Sequence, residues 1–201
     1  MWQVVLLLTP FRVGLLVVVL FLGCCALEWN SDNWRRAKLL FSRVIFYVCI
    51  SLVLVATLSP TQPIGTGDTH IWWVPGEGTL FGSEYMSAGE REMLLRLRVA
   101  NAIMFTPLAI SGRYSFRGLP LKRIVAGGCG LSFGIEIIQW VMRAGRTADV
   151  DDLLFNAAGA CLGVLLIVLA EKLVNLLGGR ECTRSEAYPV SHRARHRRIN
   201  R

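Results

Sequence analysis

Four polar residues interrupt one long apolar stretch: Ser132, Glu136, Gln139 and Arg143. Their spacings of 4, 3 and 4 place all four on one stripe of a helix. The surrounding run, Ile124 to Met142, reads as a membrane span. A charged side chain at mid-span costs ~2.5–3.5 kcal/mol on insertion scales, so such a stripe faces protein or water rather than lipid. Glu136 lies seven residues before Arg143, ~10 Å along a helix axis, which puts the carboxylate at moderate depth in the outer half of the span.

The chain continues Arg146-Thr-Ala-Asp149-Val-Asp151-Asp152 and then turns apolar again. Gly145 is suited to a left-handed cap ending the preceding helix. The aspartates fall where an N-cap and first turn belong, facing the positive end of the next helix. Capping explains Asp151 and Asp152 better than metal binding does. Asp149, Asp152, Asn156, Gly159 and Gly163 repeat a 3,4,3,4 spacing, and Gly159-x-x-x-Gly163 permits close approach of another helix. The expectation is a hairpin of the fourth and fifth spans with their polar stripes facing. The third span opens with Asn101 and contains Pro107, which can kink it. Asn101, Glu136 with Gln139, and Asn156 with the Asp cluster therefore share one outer depth on three spans.

The elements that must hold these residues are set by composition. Of 201 residues, 53% are hydrophobic and 18% charged, against ~25% charged in a soluble domain. The mean hydropathy is +0.47. The apolar residues sit in blocks, most near the ~20 residues needed to cross a ~30 Å hydrocarbon core: Val4–Leu27, Leu39–Leu58, the shorter Val99–Ile110 or slightly beyond, Ile124–Met142 and Leu153–Leu177. The fold class is all-α, a polytopic bundle of about five spans. Three parts follow: a first span and basic loop over 1–38, a four-helix membrane domain over 39–177 with a long outer loop at 59–98, and a basic, disordered tail over 178–201. Arg12 with Val13–Leu22 and Gly23-Cys24 also resembles a lipoprotein-type signal peptide. Phe21 and Leu22 fit that site poorly, and cleavage would leave Arg35–Arg43 outside.

Net charge is +8, but the basic residues lie between and after the apolar blocks, so lipid phosphates rather than nucleic acid are the expected partner. Arg35, Arg36, Lys38, Arg113, Arg117, Lys122, Arg123 and the arginine-rich tail fall on one side of a five-span chain. The N-terminus is expected outside and the C-terminus in the cytoplasm. Arg91, Arg96, Arg98, Arg143 and Arg146 fall on the other side, diluted over a longer loop by Glu77, Glu84, Glu90 and Glu92. There Glu90–Arg98 reads as a short amphipathic helix lying at the surface before the third span. Trp72 and Trp73 suit the headgroup layer, and His70 is a weaker ligand-binding candidate. The six cysteines show no CxxC or metal-like spacing, and neither cofactor nor metal is expected.

Asn101-x-x-x-Phe-x-Pro-Leu108, Glu136-x-x-Gln139, Arg146-x-x-Asp149-x-x-Asp152 and Asn156-x-x-Gly159, in that order at span ends, resemble the VanZ-like family over about residues 50–170. The resemblance implies a multi-span bacterial cytoplasmic-membrane protein, related to the cell envelope and to glycopeptide (teicoplanin) resistance. The binding residues are expected to be Asn101, Glu136, Gln139, Arg146, Asp149, Asp152 and Asn156, forming an outward polar pocket for a lipid headgroup or envelope precursor. In it Arg146 would clamp an anion. An intramembrane enzyme acting on a lipid-linked substrate, a transporter working as a dimer and a non-catalytic scaffold are the alternatives; a homo-oligomer stays open. No serine or cysteine is paired in sequence with a histidine, so the enzyme reading lacks a nucleophile.

Overall fold

The computed structural model describes residues 10–29, 35–67, 71–76, 87–116, 118–144 and 148–177. Five helices are present among them: α1 (Pro10–Trp29), α2 (Arg35–Leu58), α3 (Ala88–Ser115), α4 (Leu121–Met142) and α5 (Val150–Leu177). Each is long and apolar enough to cross a membrane. The chain is a multi-pass membrane protein.

Helices α3 and α5 form the centre, with α1 against α5, α2 against α3 and α4 against α5. One apolar cluster joins Cys24 of α1 with Ile110 and Tyr114 of α3 and Leu166, Ile167 and Ala170 of α5. Another joins Val53, Phe105, Leu108 and Ile135 across α2, α3 and α4. The outer helices turn large apolar side chains outward, among them Leu15 and Val19 on α1, Phe41 and Leu52 on α2, and Phe133 and Val141 on α4. In water such a belt would drive aggregation; in lipid it costs nothing, and close packing holds the bundle instead.

Two expectations about helix packing are corrected. Glu90–Arg98 is not a separate surface helix but the first part of α3, which runs unbroken through Pro107. The start is fixed by a capping box: the Ser87 hydroxyl accepts the Glu90 N–H at 3.3 Å, and Glu90 Oε2 accepts the Ser87 N–H at 2.8 Å. At 28 residues, α3 is ~42 Å long, longer than the ~30 Å core it crosses. The second correction concerns Gly159 and Gly163, which seat α3 rather than α4. A Cβ at Gly159 would overlap the Ala102 carbonyl, and one at Gly163 would lie 2.7 Å from the Thr106 oxygen. The Thr106 hydroxyl donates across this seam to the Gly159 carbonyl at 3.1 Å.

The left-handed cap of α4 falls on Arg143 (φ 47°, ψ 48°), whose N–H donates to the Gln139 carbonyl at 3.2 Å. Gly145 lies outside the described residues. Arg143 therefore caps the α4 stripe instead of extending it.

At the end where α2 and α4 finish and α3 and α5 begin, the two connections join through the main chain. The N–H groups of Thr61 and Gln62 donate to the Ala144 carbonyl at 3.0 and 3.1 Å, and those of Gly65 and Gly67 to Met142 and Arg143. Beyond them, strands β1 (Ile71–Trp72) and β2 (Ala148–Asp149) pair in parallel, Trp72 opposite Asp149. This small sheet is an addition to the all-α expectation.

Candidate functional site

Helix α3 carries Arg98 about 26 Å from its far end, less than the ~30 Å of a hydrocarbon core. The side chain is 2% exposed, a position that an unpaired guanidinium could not hold. It is paired twice. One terminal nitrogen lies 3.2 Å from Asp149 Oδ2 and in closer contact with Asp151 Oδ2. The two aspartates also organise the main chain around them. Asp149 Oδ1 accepts the Asp151 N–H at 2.8 Å, capping α5. Both oxygens of Asp151 accept the Gly76 N–H, at 3.0 and 2.9 Å. This knot ties α3, the start of α5 and the long connection together.

Glu136 approaches from α4. Its Oε2 accepts the Asp149 N–H at 3.0 Å, so the carboxylate stands beside the ion pair. Glu136 and Asp149 form one wall of a groove of about 450 Å³, whose other walls include Trp73, Phe133, Ile137, Trp140 and Leu153. Trp73 and Trp140 are 70% and 47% exposed. The groove surface is therefore almost wholly apolar, made by two indoles, Phe133 and aliphatic side chains, with Glu136 and Asp149 in its wall.

The other expected residues are distributed around this centre. Gln139 is buried and donates from Nε2 to the Thr57 carbonyl at 2.9 Å, fastening α4 to the last turn of α2. Asn156 donates to the Ser132 hydroxyl at 2.8 Å across the α4–α5 interface, with both side chains buried. Asp152 is half-buried in the first turn of α5. Asn101 lies one turn along α3 from Arg98, half-buried, and makes no hydrogen bond to the knot. Arg146 and His70 lie outside the described residues, as does the 178–201 tail. Glu136 and Asp149 meet; Gln139 and Asn156 serve neighbouring helix contacts. Among the described residues no group of three His, Cys, Asp or Glu side chains could hold a metal ion.

Sequence reasoning missed Arg98 and underrated Asp151. In the sequence Arg98 ranks with the flanking arginines, because Glu90–Arg98 has the pattern of a surface helix. The signal was its place three residues before Asn101, within reach of the apolar run if the helix continued.

A membrane helix bundle with a buried Arg–Asp–Asp knot at one end, roofed by two zipped connections, defines the class of this protein. Its sequence assigns the family: the chain belongs to the VanZ/LLP1 family, whose model matches residues 15–171. No curated protein and no solved structure matches it.

Proposed function

We propose that the groove beside Glu136 and Asp149 binds the polar head of an amphiphile, a lipid headgroup or a lipid-linked envelope precursor, with its apolar part lying along Trp140 and Phe133. The observation that carries this reading is an apolar, indole-lined groove that has the carboxylate-bearing Glu136 and Asp149 in its wall. Carboxylate oxygens accept hydrogen bonds from hydroxyl, amide or amine groups, and charge-assisted bonds are the stronger kind. Indoles offer flat apolar faces that suit sugar rings and headgroup chemistry at the interface. Arg98 is already paired with Asp149 and Asp151, so the favoured ligand is rich in donors rather than an anion held by that arginine.

The lysine and arginine distribution supports placing this end outside, in the cytoplasmic membrane of a bacterium, with the N-terminus outside and the C-terminus inside. A role in the cell envelope, of the glycopeptide-resistance kind, fits a site in that position.

The test uses the full chain in nanodiscs, with tryptophan fluorescence as the readout. A monoglycosyl lipid and phosphatidylethanolamine, which carry donors, are compared with phosphatidylcholine, which carries none. Selective binding of the first two, weakened about tenfold by Glu136→Gln and by Trp140→Ala with unchanged melting temperature, is expected. Equal response to all three lipids, or wild-type binding in both variants, would refute the reading.

A further inference from the structure

At the opposite end of the bundle, helices α2, α3 and α4 enclose a second cavity, of about 240 Å³. Its wall is apolar and includes Phe46, Ile50, Phe105, Leu108, Phe116 and Leu131. Among the described residues lining it, the one charged side chain is Arg123, exposed near the start of α4. We propose that this cavity holds one acyl chain of a membrane phospholipid, whose phosphate is bound by Arg123.

Shape, charge and surroundings agree on that occupant. From Arg123 to Leu131 the cavity follows eight residues of α4, ~12 Å along the axis. A cavity of about 240 Å³ suits one narrow hydrocarbon chain rather than another helix of ~10–12 Å diameter. Its lining follows α4, a membrane span, as a lipid chain would. Charge is placed where a phosphate would be: Arg123 stands at the mouth with Lys122 beside it, and no carboxylate pairs with Arg123 among the described residues. Pro120, the N-cap of α4, supplies no side-chain acceptor, and its carbonyl accepts the Arg123 N–H at 2.8 Å, so the positive helix end adds its dipole to the charge of Arg123. Basic pockets between spans are a general mode of phospholipid binding.

Glycine at 127 offers a direct probe. It lines the cavity, and a Cβ there meets nothing within 4 Å. A leucine at this position starts from an unobstructed Cβ and adds bulk to the cavity wall.

The full chain is reconstituted in vesicles of phosphatidylglycerol and phosphatidylethanolamine, extracted in mild detergent and weighed by native mass spectrometry. About one phospholipid per wild-type chain is expected to remain. Gly127→Leu and Arg123→Glu should each lower retention at least fivefold, and Arg123→Lys should restore most of it. Arg123 is exposed, so its variants decide the matter even if Gly127→Leu reduces yield. Glu136→Gln should retain the lipid fully, which separates this site from the groove at the other end. Undiminished retention in Arg123→Glu, or no phospholipid on the wild-type chain, would overturn the proposal.

Discussion

The guanidinium of Arg98 and the carboxylate of Asp149 are 51 residues apart in the chain and 3.2 Å apart in space. Breaking a buried pair by removing one partner costs ~3–5 kcal/mol, because the other charge stays behind. Arg98→Ala strands two carboxylates, Asp149 and Asp151. Its melting temperature in detergent should fall well below that of wild type. Arg98→Ala combined with Asp149→Asn and Asp151→Asn should recover part of the loss. A triple variant no better than Arg98→Ala would show that the guanidinium acts through packing alone.

Asp151 holds the long connection as well as the arginine. With Asp151→Ala, the Gly76 N–H loses both acceptors, and β1 loses the anchor next to it. Limited proteolysis should then cut within residues 59–87 faster than in wild type. Glu136→Gln, which leaves that bond in place, should not change the cutting rate.

The seam between α3 and α5 has no room for a side chain at Gly159. Gly159→Ala puts a methyl group into the Ala102 carbonyl, and overpacking of this kind costs ~1–3 kcal/mol or more. Folded yield should drop sharply. Gly130→Ala, where a Cβ meets nothing within 4 Å, should express normally and serves as the control.

Asn156 donates from Nδ2 to the Ser132 hydroxyl in a buried interface, while Asn156 Oδ1 has no partner. Removing one member leaves a buried polar group unsatisfied, at ~1–3 kcal/mol, whereas replacing both by apolar groups can be nearly neutral. Ser132→Ala should therefore lower thermal stability, and Ser132→Ala with Asn156→Leu should regain most of it. A double variant that is additive would contradict the pairing.

Much of this architecture is legible in the chain, for identifiable reasons. Span number follows from the lengths of apolar runs, because a bilayer demands ~20 such residues regardless of tertiary context. The capping role of Asp149 follows from local geometry at a helix start. Glu136 stands out because a carboxylate in an apolar run needs a reason to be there. Arg98 does not stand out, since it follows Arg91 and Arg96 in a segment whose charges otherwise face water. Only the unbroken course of α3 carries it inward. The choice of α3 as the partner of Gly159 and Gly163 is equally hidden: small residues announce close approach but not the identity of the neighbour. The β1–β2 pairing rests on two residues per strand, too few for any alternation to register.

The joint between residues 61–67 and 142–144 is made mostly of peptide N–H groups meeting peptide carbonyls, with the Thr61 hydroxyl adding one bond to the Ala144 carbonyl, so apart from Thr61 and the positive-φ Gly65 it depends little on what those residues carry outward. Substitutions there can accumulate while the roof keeps its shape. Relatives that have drifted apart in this region should be aligned through Arg98, Asp149 and Asp151, where geometry and residue type cannot be traded separately.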